Sequence, residues 1–477
     1  MLKNNTETYK HNLNPGKAQA EAAAALPTNP QSLMQLILNL YIHVSKINPA
    51  NVLLIILFFI LPWNLGKHFE LASSWINRYT VPYLVPTIYL QDIVAAAALI
   101  SLVFADRRKV VVLGEGHRVA SRLLFVFTVA CFLSVFFAGR FYPSVYFFVR
   151  LLLYFSLFVA SASLFCSPSL RRWFFVSAVV NILLLGGLAF LQFYKQSSVF
   201  NNYLFFGEQP YTVYTPYIAK EGFNGVVRIP PYGTFEHPNI LAGYLVVSLT
   251  LSFAWLLGRA RWRVLLLPLV LVSSVTLFLT TSYTAWVAAA LGVLLIFFVR
   301  LVRRVRLVSL AFLLLTCAVL LAGFLLPLYR DNVALLLPRD STTSVLSVDR
   351  RSALLDASLR MFLQQPFFGW GINSFTYSFE FFYNRPDVVR FLQPAHNVYA
   401  LVAAETGVFG VLTFLLLSIY ATCYTARSGG FLYSIALLQI TVLSSFDHYF
   451  FTIPQTQLLF FLTLLMGLTY TKNSDCL

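Results

Sequence analysis

The sequence predicts an all-α polytopic membrane protein with about twelve transmembrane helices and two long extracytoplasmic loops, the second partly helical. Hydrophobic residues make up 58% of the chain and charged residues 11%, and the mean hydropathy is +0.74. Soluble domains usually carry about 25% charged residues, so the composition excludes a soluble globular protein. The net charge of +16 comes from short basic clusters between apolar runs. It therefore indicates a lipid bilayer and not a nucleic acid as the partner.

The predicted helices follow from the apolar runs, which approach the length of about 17–25 residues that a transmembrane helix needs. They lie at 51–66, 83–104, 121–139, 143–166, 172–194, 238–257, 262–280, 282–299, 306–328, 396–424, 430–447 and 453–471. Residues 1–30 are polar and alanine-rich, without the apolar core of a cleavable signal peptide. We expect a disordered cytoplasmic tail at 1–30 and a single membrane domain at 31–477.

The orientation follows from the basic residues of the loops. With a cytoplasmic N-terminus, the inner loops hold fifteen Lys and Arg residues, whereas the short outer loops hold three. Such an excess is typical of cytoplasmic loops, so both termini are expected in the cytoplasm. The long loops at about 195–237 and 329–395 are then extracytoplasmic. Within the second, an apolar stripe predicts a helix over 349–364, which ends before Pro366.

The second long loop is rich in arginine. Seven lie between Leu328 and Gly410, namely Arg330, Arg339, Arg350, Arg351, Arg360, Arg385 and Arg390. Guanidinium groups bind phosphate through two parallel hydrogen bonds and stay charged at any working pH. Arg350 and Arg351 are therefore candidate anion-binding residues. The alternative is a solvated face or one that binds lipid headgroups.

His396 is the candidate general base, and the adjacent Asn397 is a candidate substrate-binding residue. His396 stands in Pro394-Ala395-His396-Asn397, at the boundary between the polar loop and the next apolar run. An imidazole accepts a proton near neutral pH without large tuning, which suits deprotonation of a sugar hydroxyl. In the alternative interpretation His396 is a helix-entry residue at the membrane interface, capped together with Asn397.

The end of the first long loop is a third candidate. Residues 228–239 read RIPPYGTFEHPN and run directly into a helix. A helix N-terminus with a flanking arginine is a ready anion site, which singles out Arg228, His237 and Asn239. A proline-broken entry turn explains the same composition.

Two charged residues lie well inside apolar runs, Arg150 and Glu405. Intramembrane charges are costly and usually face the interior of a bundle or a cavity. Arg150 is a candidate substrate-binding residue, and pairing with a residue such as Asp92 is the alternative. Glu405 follows His396 by about two and a half helical turns, so the two face opposite sides and Glu405 is expected to fix packing near Gly407.

The five cysteines are scattered, and the sequence has no CxxC pair and no His/Cys ligand spacing. It therefore indicates neither a disulfide framework nor a zinc site.

Three motifs give the chain its family resemblance. The first is GTFEHPNILA at 233–242, similar to G-T-F-x-H-P-N-x-L-A. The second is Arg351 followed by ASLRMF at 357–362 and PFFGWG at 366–371, similar to R…A-L-x-M-x…P-L-x-G-x-G. The third is HNVY at 396–399 with ETGVFG at 405–410, similar to H-N-x-x-L…E-x-G-x-x-G. In this order and topology, the chain resembles the O-antigen ligase / O-antigen polymerase superfamily of bacterial membrane glycosyltransferases over residues 140–425.

The resemblance implies transfer of a glycan from an undecaprenyl-diphosphate donor to a lipid or glycan acceptor, on the outer face of the bacterial inner membrane. It implies no metal and no cofactor, because arginines act on the diphosphate and a histidine acts as base, with inversion at the anomeric carbon. One departure concerns the turn at Ser282-Tyr283, where many members have Ser-Arg. The arginine contact expected there is missing.

Two other functions fit the same sequence. A repeat-unit polymerase of O-antigen or exopolysaccharide shares the fold and the motifs of a ligase. A polysaccharide transporter or flippase also has about twelve spans and basic inner loops, but transporters more often show internal repeats and broken helices at mid-membrane. Candidate reactive residues at the outer membrane boundary favour an enzyme.

Overall fold

The computed structural model describes residues 48–104, 114–223, 226–257, 260–302, 304–325, 342–383 and 392–470. These residues are mainly helical, with three two-stranded antiparallel sheets. The tail predicted at 1–30 lies outside them, as do Arg330, Arg339, Arg385 and Arg390. The described residues from Ala50 onward pack as one unit.

Each predicted apolar run coincides with a helix. The helices are α1 (Pro49–Ile60), α2 (Leu90–Phe104), α3 (Glu115–Val135), α4 (Phe141–Ser161), α5 (Pro168–Lys195), α6 (Pro238–Leu257), α7 (Leu266–Thr280), α8 (Tyr283–Leu301), α9 (Val305–Leu325), α10 (Thr342–Gln364), α11 (Val398–Arg427), α12 (Phe431–Phe446) and α13 (Pro454–Leu468). Of these, α10 belongs to the second long loop and covers the helix predicted there. The all-α fold class is thereby confirmed.

Within the described ranges, eight segments are long and apolar enough to cross a membrane, namely α3 to α6, Arg261–Thr280, α8, Val305–Gly323 and α11. The other four apolar helices, α1, α2, α12 and α13, are shorter. At 12 residues, α1 is only about 18 Å long, whereas the hydrocarbon core is about 30 Å thick. Twelve complete spans thus remain a prediction.

Helix α13 is enclosed by protein. All of its residues from Pro454 to Leu468 are buried, including the polar Gln455, Gln457 and Thr463. Since this helix meets other helices on every side, its length is not dictated by contact with lipid. Prolines open α5, α6 and α13 at the first helical position, where the missing N–H has no intrahelical partner to lose.

Short strands and turns cover one end of the helices. Strand β1 (Gly66–His68) pairs with β4 (Thr87–Tyr89), and β2 (Trp75–Ile76) pairs with β3 (Tyr79–Thr80) between them. In the first long loop β5 (Glu221–Phe223) pairs with β6 (Val226–Arg228). The one-turn helices Phe375–Ser378 and Tyr449–Thr452 lie at the same end.

Helix α11 is broken at Gly407, which has φ 69° and ψ −164°. The break frees carbonyl groups that no residue of the helix can satisfy. Loop residues satisfy them instead, because Trp370 N–H donates to Ala404 O at 2.9 Å and Gly371 N–H donates to Glu405 O at 3.0 Å. Irregular backbone at membrane depth is stable only when protein supplies such partners.

The same loop also provides partners for the Val408 N–H and for the side chain of Glu405, on the two sides of Gly407. Val408 N–H donates to Pro366 O at 2.7 Å, and the buried Glu405 carboxylate accepts from Phe375 N–H at 3.0 Å. A Cβ on Gly369 would lie 2.3 Å from the Glu405 carbonyl carbon, so only glycine allows this approach. Glu405 thus fixes packing, in line with the role inferred from the sequence.

Candidate functional site

A cavity of about 900 Å³ opens among the loops at this end of the helices. Its polar lining comes from several separate parts of the chain, including residues 236–240, Arg350 and Arg351, Gln393 and His396, and residues 447–449, with further polar side chains from the segments 64–70 and 203–221. The turn Thr281-Ser282-Tyr283 forms a further part of the wall. The Ser282-Tyr283 departure from the family pattern therefore lies at the cavity, where hydroxyl groups stand in place of a guanidinium.

His396 is held at the entry of α11. Its Nδ1 lies 3.3 Å from the carbonyl of Pro394. Donation from Nδ1 to this carbonyl leaves Nε2 as the atom able to accept a proton. Asn397 is the N-cap of α11, accepting from Ala400 N–H at 3.0 Å, and its Nδ2 donates to the carbonyl of Gly323 at 3.0 Å. Asn397 thus fixes the backbone that presents His396.

Asp447 and His448 come from the end of α12. One side-chain ligand atom from each of His396, Asp447 and His448 lies within 4.8 Å of the others. The rings of His396 and His448 meet edge to face at 5.1 Å. Thr452 Oγ1 lies 2.7 Å from Nδ1 of His448, and Asp447 Oδ1 lies 3.9 Å from its Nε2.

The first motif reaches the same place. Asn239 donates from Nδ2 to Asp447 Oδ2 at 3.2 Å, and its backbone N–H donates to His237 Nδ1 at 3.1 Å. The Gly233 turn that precedes them is held by the buried Gln192 of α5, which accepts from the Gly233 N–H at 2.7 Å and donates to its carbonyl at 2.8 Å.

Arg350 and Arg351 lie more than two turns into α10, whose apolar stripe is buried, including Ala353, Leu354 and Met361. Both arginines line the cavity. The Nε–H of Arg351 is buried and donates to no partner among the residues that the structure describes. A guanidinium in that position suits an anionic ligand.

Burial and charge set the protonation states. Burial lowers the pKa of His396 well below 6.5, although the negative charge of Asp447 acts to raise it. The surrounding protein, with positive charge from Arg350 and Arg351, likewise lowers the pKa of His237, although its side chain is exposed to the open cavity. Burial alone would raise the pKa of Asp447, but His396, His448 and Arg351 lower it to about 2. At neutral pH the cluster therefore combines an ionised carboxylate with neutral imidazoles and two guanidinium groups.

Two of the sequence candidates lie elsewhere. Arg150 is buried beside Asp92, with Nε 3.4 Å from Oδ2, and donates to Thr87 O at 2.7 Å. This is the structural pairing that the sequence left as the alternative. The guanidinium of Arg228 lies over the ring of Phe193 at 5.6 Å, and neither arginine lines the cavity.

The sequence did not single out Asp447 and His448 as site residues. The only signal was the position of His448 at the predicted outer end of an apolar run. No motif singles out Ser445-Phe446-Asp447-His448. Their role depends on a contact with Asn239 that links positions 208 residues apart.

His396, Asp447 and His448 also form a donor set that could hold a divalent cation, since imidazole nitrogens and a carboxylate oxygen are suitable ligands. Two features oppose a cation. Arg351 contributes positive charge at Asp447 and at both imidazoles, and Asn239 already occupies Asp447 Oδ2. A metal-free site remains our prediction.

Comparison with known proteins gives one family. Residues 268–415 match the model of a family described as O-antigen ligase. No curated protein matches the chain. The match includes Arg351, His396 and Gly407, while the first motif at 233–242 lies before it. The second and third motifs therefore belong to an O-antigen ligase family domain at residues 268–415, which confirms the resemblance to the O-antigen ligase superfamily.

Proposed function

We propose that this protein transfers a glycan from an undecaprenyl-diphosphate donor to a lipid or glycan acceptor, on the outer face of the bacterial inner membrane. The family implies a membrane glycosyltransferase of the ligase or polymerase type with lipid-linked glycan substrates. The finer assignment is ligase-like, inverting and independent of metal ions. The observation that carries it is the convergence of His396, Arg350 and Arg351 on one cavity.

In the proposed reaction Nε2 of His396 removes the proton of an acceptor hydroxyl. The hydroxyl oxygen attacks the anomeric carbon from the face opposite the diphosphate. A new glycosidic C–O bond forms as the bond from that carbon to the diphosphate oxygen breaks, which inverts the configuration. The proton then passes from His396 to water or to the released lipid diphosphate.

The site stabilises the charge that develops on the leaving diphosphate and the charge that develops on His396. Negative charge that develops on the leaving diphosphate is stabilised by fixed guanidinium groups, whose effect is large in a site of low dielectric. Positive charge on His396 is stabilised by the ionised Asp447, one of whose oxygens lies within 4.8 Å of a His396 ring nitrogen. Asn239 holds that carboxylate in place.

The location is part of the same proposal. The cavity lies on the long-loop side of the helices, and the excess of basic residues in the opposite loops supports an outer-face location for it. Twelve helices with both termini in the cytoplasm are the arrangement that we propose. A lipid-linked donor could then reach the cavity from the outer leaflet.

A repeat-unit polymerase uses the same donor and cavity, and it differs only in the acceptor. A transporter is the candidate from another class, and the broken helix α11 has parallels in that class. The break, however, is filled by residues 366–371 of the same chain and is no open binding site. An enzyme therefore remains the proposal.

The test uses purified protein in detergent, where no gradient can exist. Undecaprenyl-diphosphate-linked glycan is supplied with either a lipid A core or a second lipid-linked glycan as acceptor, with and without EDTA. We expect transfer to one acceptor, unaffected by EDTA and absent from His396→Ala. Failure of the detergent-solubilised protein to transfer glycan to either acceptor, while retaining donor binding, would refute the enzyme and leave the transporter.

A further inference from the structure

The cavity has two chemically different halves. The cationic half holds Arg350, Arg351 and the imidazoles described above. The opposite half, called here the Glu236 half, offers a carboxyl group, amides and phenol rings. Its members are Glu236, Asn64, Gln209, Tyr203 and Tyr89. Tyr83 lies between the halves, because its hydroxyl is influenced by Glu236 on one side and by Asp447 and Arg350 on the other.

Glu236 is held by its neighbours and faces the cavity. Asn64 and Tyr89 lie close enough to its carboxyl group to favour the ionised form, and Asn64 is itself fixed by Gln455, whose Nε2 donates to Asn64 Oδ1 at 2.8 Å. Burial raises the pKa of Glu236, whereas Asn64, Arg150 and Tyr89 favour its ionised form. The carboxylate is thus supported on its protein side and keeps acceptor capacity toward the cavity.

The fold itself does not require a carboxylate here. The turn around it is held by Gln192 and by Thr234, whose Oγ1 donates to Pro62 O at 2.6 Å. Position 236 is also the one between Phe235 and His237 that the family pattern leaves open.

We propose that Glu236 selects an uncharged sugar at the diphosphate by accepting hydrogen bonds from its hydroxyl groups, and that it excludes acidic sugars. This rests on the proposed function, because the cationic half must hold the diphosphate for the first sugar to reach the Glu236 half. Carboxylate and amide groups suit hydroxyl groups as partners, and the half-exposed Tyr203 offers a flat apolar face. A carboxylate on the sugar would meet a like charge in a confined site, which specific sites use to reject wrong partners.

The experiment measures binding of three lipids to the full-length protein in nanodiscs at pH 8. The lipids are undecaprenyl diphosphate alone, its N-acetylglucosamine conjugate and its glucuronic acid conjugate. We expect wild type to bind the neutral conjugate at least about tenfold more tightly than the acidic one. Glu236→Gln should reduce this preference to less than about threefold, without altering the affinity for undecaprenyl diphosphate. Glu70→Gln, which changes an exposed carboxylate at the rim of the same cavity, should leave the preference unchanged.

Each outcome decides a different point. Equal binding of both conjugates by wild type overturns the inference, and this measurement needs no variant, so misfolding of Glu236→Gln does not remove the test. A preference that persists in a folded Glu236→Gln protein also overturns it. If wild type fails to bind undecaprenyl diphosphate itself, the proposed donor is wrong. If it binds that lipid without any sugar preference, only the role of Glu236 is wrong.

Discussion

The side-chain amide of Asn239 donates a hydrogen bond to the carboxylate of Asp447, with Nδ2 and Oδ2 3.2 Å apart. This contact joins the entry of α6 to the exit of α12 and places the carboxylate beside His396. Because Asp447 opposes the fall in the pKa of His396, the contact tunes the base as well as positioning it.

Asp447→Asn should retain a hydrogen bond to Asn239 and lose the negative charge. The imidazolium formed on His396 then lacks its counter-charge, and His396 becomes a weaker base. We expect kcat to fall on the order of 10²-fold, with donor affinity changed little. Asn239→Ala keeps the charge and should cost less. Equal losses of kcat in the two variants would mean that Asp447 acts by positioning His396 and not through its negative charge.

Arg351→Ala should lose far more transfer activity than Arg360→Ala. Both residues lie on α10, but Arg360 is exposed and paired with Asp356 at 2.8 Å, whereas Arg351 lines the cavity. Loss of one charge-assisted contact should raise the barrier by about 2–4 kcal/mol. Arg351→Lys should recover only part of this, since an ammonium cannot make a two-point contact. Similar mild effects at both positions would indicate a diffuse charged surface. Single-turnover rates make the comparison.

His396→Ala should slow transfer by about 10²–10⁴-fold and leave donor binding close to wild type. His68→Ala is the matched control, because His68 lines the rim of the cavity and bonds to Thr87. The control should transfer glycan at the wild-type rate. If His396→Ala also transfers at the wild-type rate, His396 is not the base.

The pH profile tests the same residue without a substitution. The neutral imidazole is the active form, so the rate falls when acid protonates it. Because burial holds the pKa of His396 well below 6.5, kcat/KM should stay level from pH 7 down through 6.5 and fall only at lower pH. If kcat/KM reaches half of its maximum at or above pH 6.5, His396 is not the group that titrates as proposed.

Gly407→Ala should destabilise the fold. A Cβ there would lie 2.3 Å from the carbonyl oxygen of Phe367, at a φ of +69°. Strain and overlap together should cost about 2 kcal/mol or more, seen as a lower unfolding midpoint in detergent. Gly187→Ala is the control, since the space around Gly187 is open. A midpoint equal to that of the control would mean that the break in α11 is not needed.

Topology can be tested with cysteines in a cysteine-free background. Tyr214 and Phe381 are exposed residues of the two long loops, and Arg261 lies between α6 and α7. Cysteines at 214 and 381 should react with an impermeant thiol reagent in intact spheroplasts, and a cysteine at 261 only after lysis. The reverse pattern would place the cavity in the cytoplasm.

The sequence predicted the helices well because side chains that face lipid and side chains that face the protein core must both be apolar. Each helix is therefore visible as a long apolar run. It also predicted His396, Arg351 and Asn239 at one site, because their motifs flank the two long loops. It could not predict the break at Gly407. The apolar run continues through that residue, and the partners of the broken backbone lie in another segment.

Asp447 and His448 show a different limit. Nothing near them in sequence resembles a catalytic pattern, and their place depends on how α12 packs against α6. Arg150 shows the converse. The sequence left two interpretations of this intramembrane charge, a substrate-binding role and pairing with a residue such as Asp92. Asp92 lies 58 positions earlier in another helix, and only the packing shows that the two residues pair.

The enclosure of α13 has a consequence for biogenesis. This helix leaves the ribosome after the other twelve, yet it occupies a position surrounded by them. The earlier helices must therefore stay loosely associated in the bilayer until Pro454–Leu468 inserts among them. Asp447 and His448 lie just before that segment, separated from it by the one-turn helix Tyr449–Thr452, so His396, Asp447 and His448 come together only at this step and the cavity that they line is completed last.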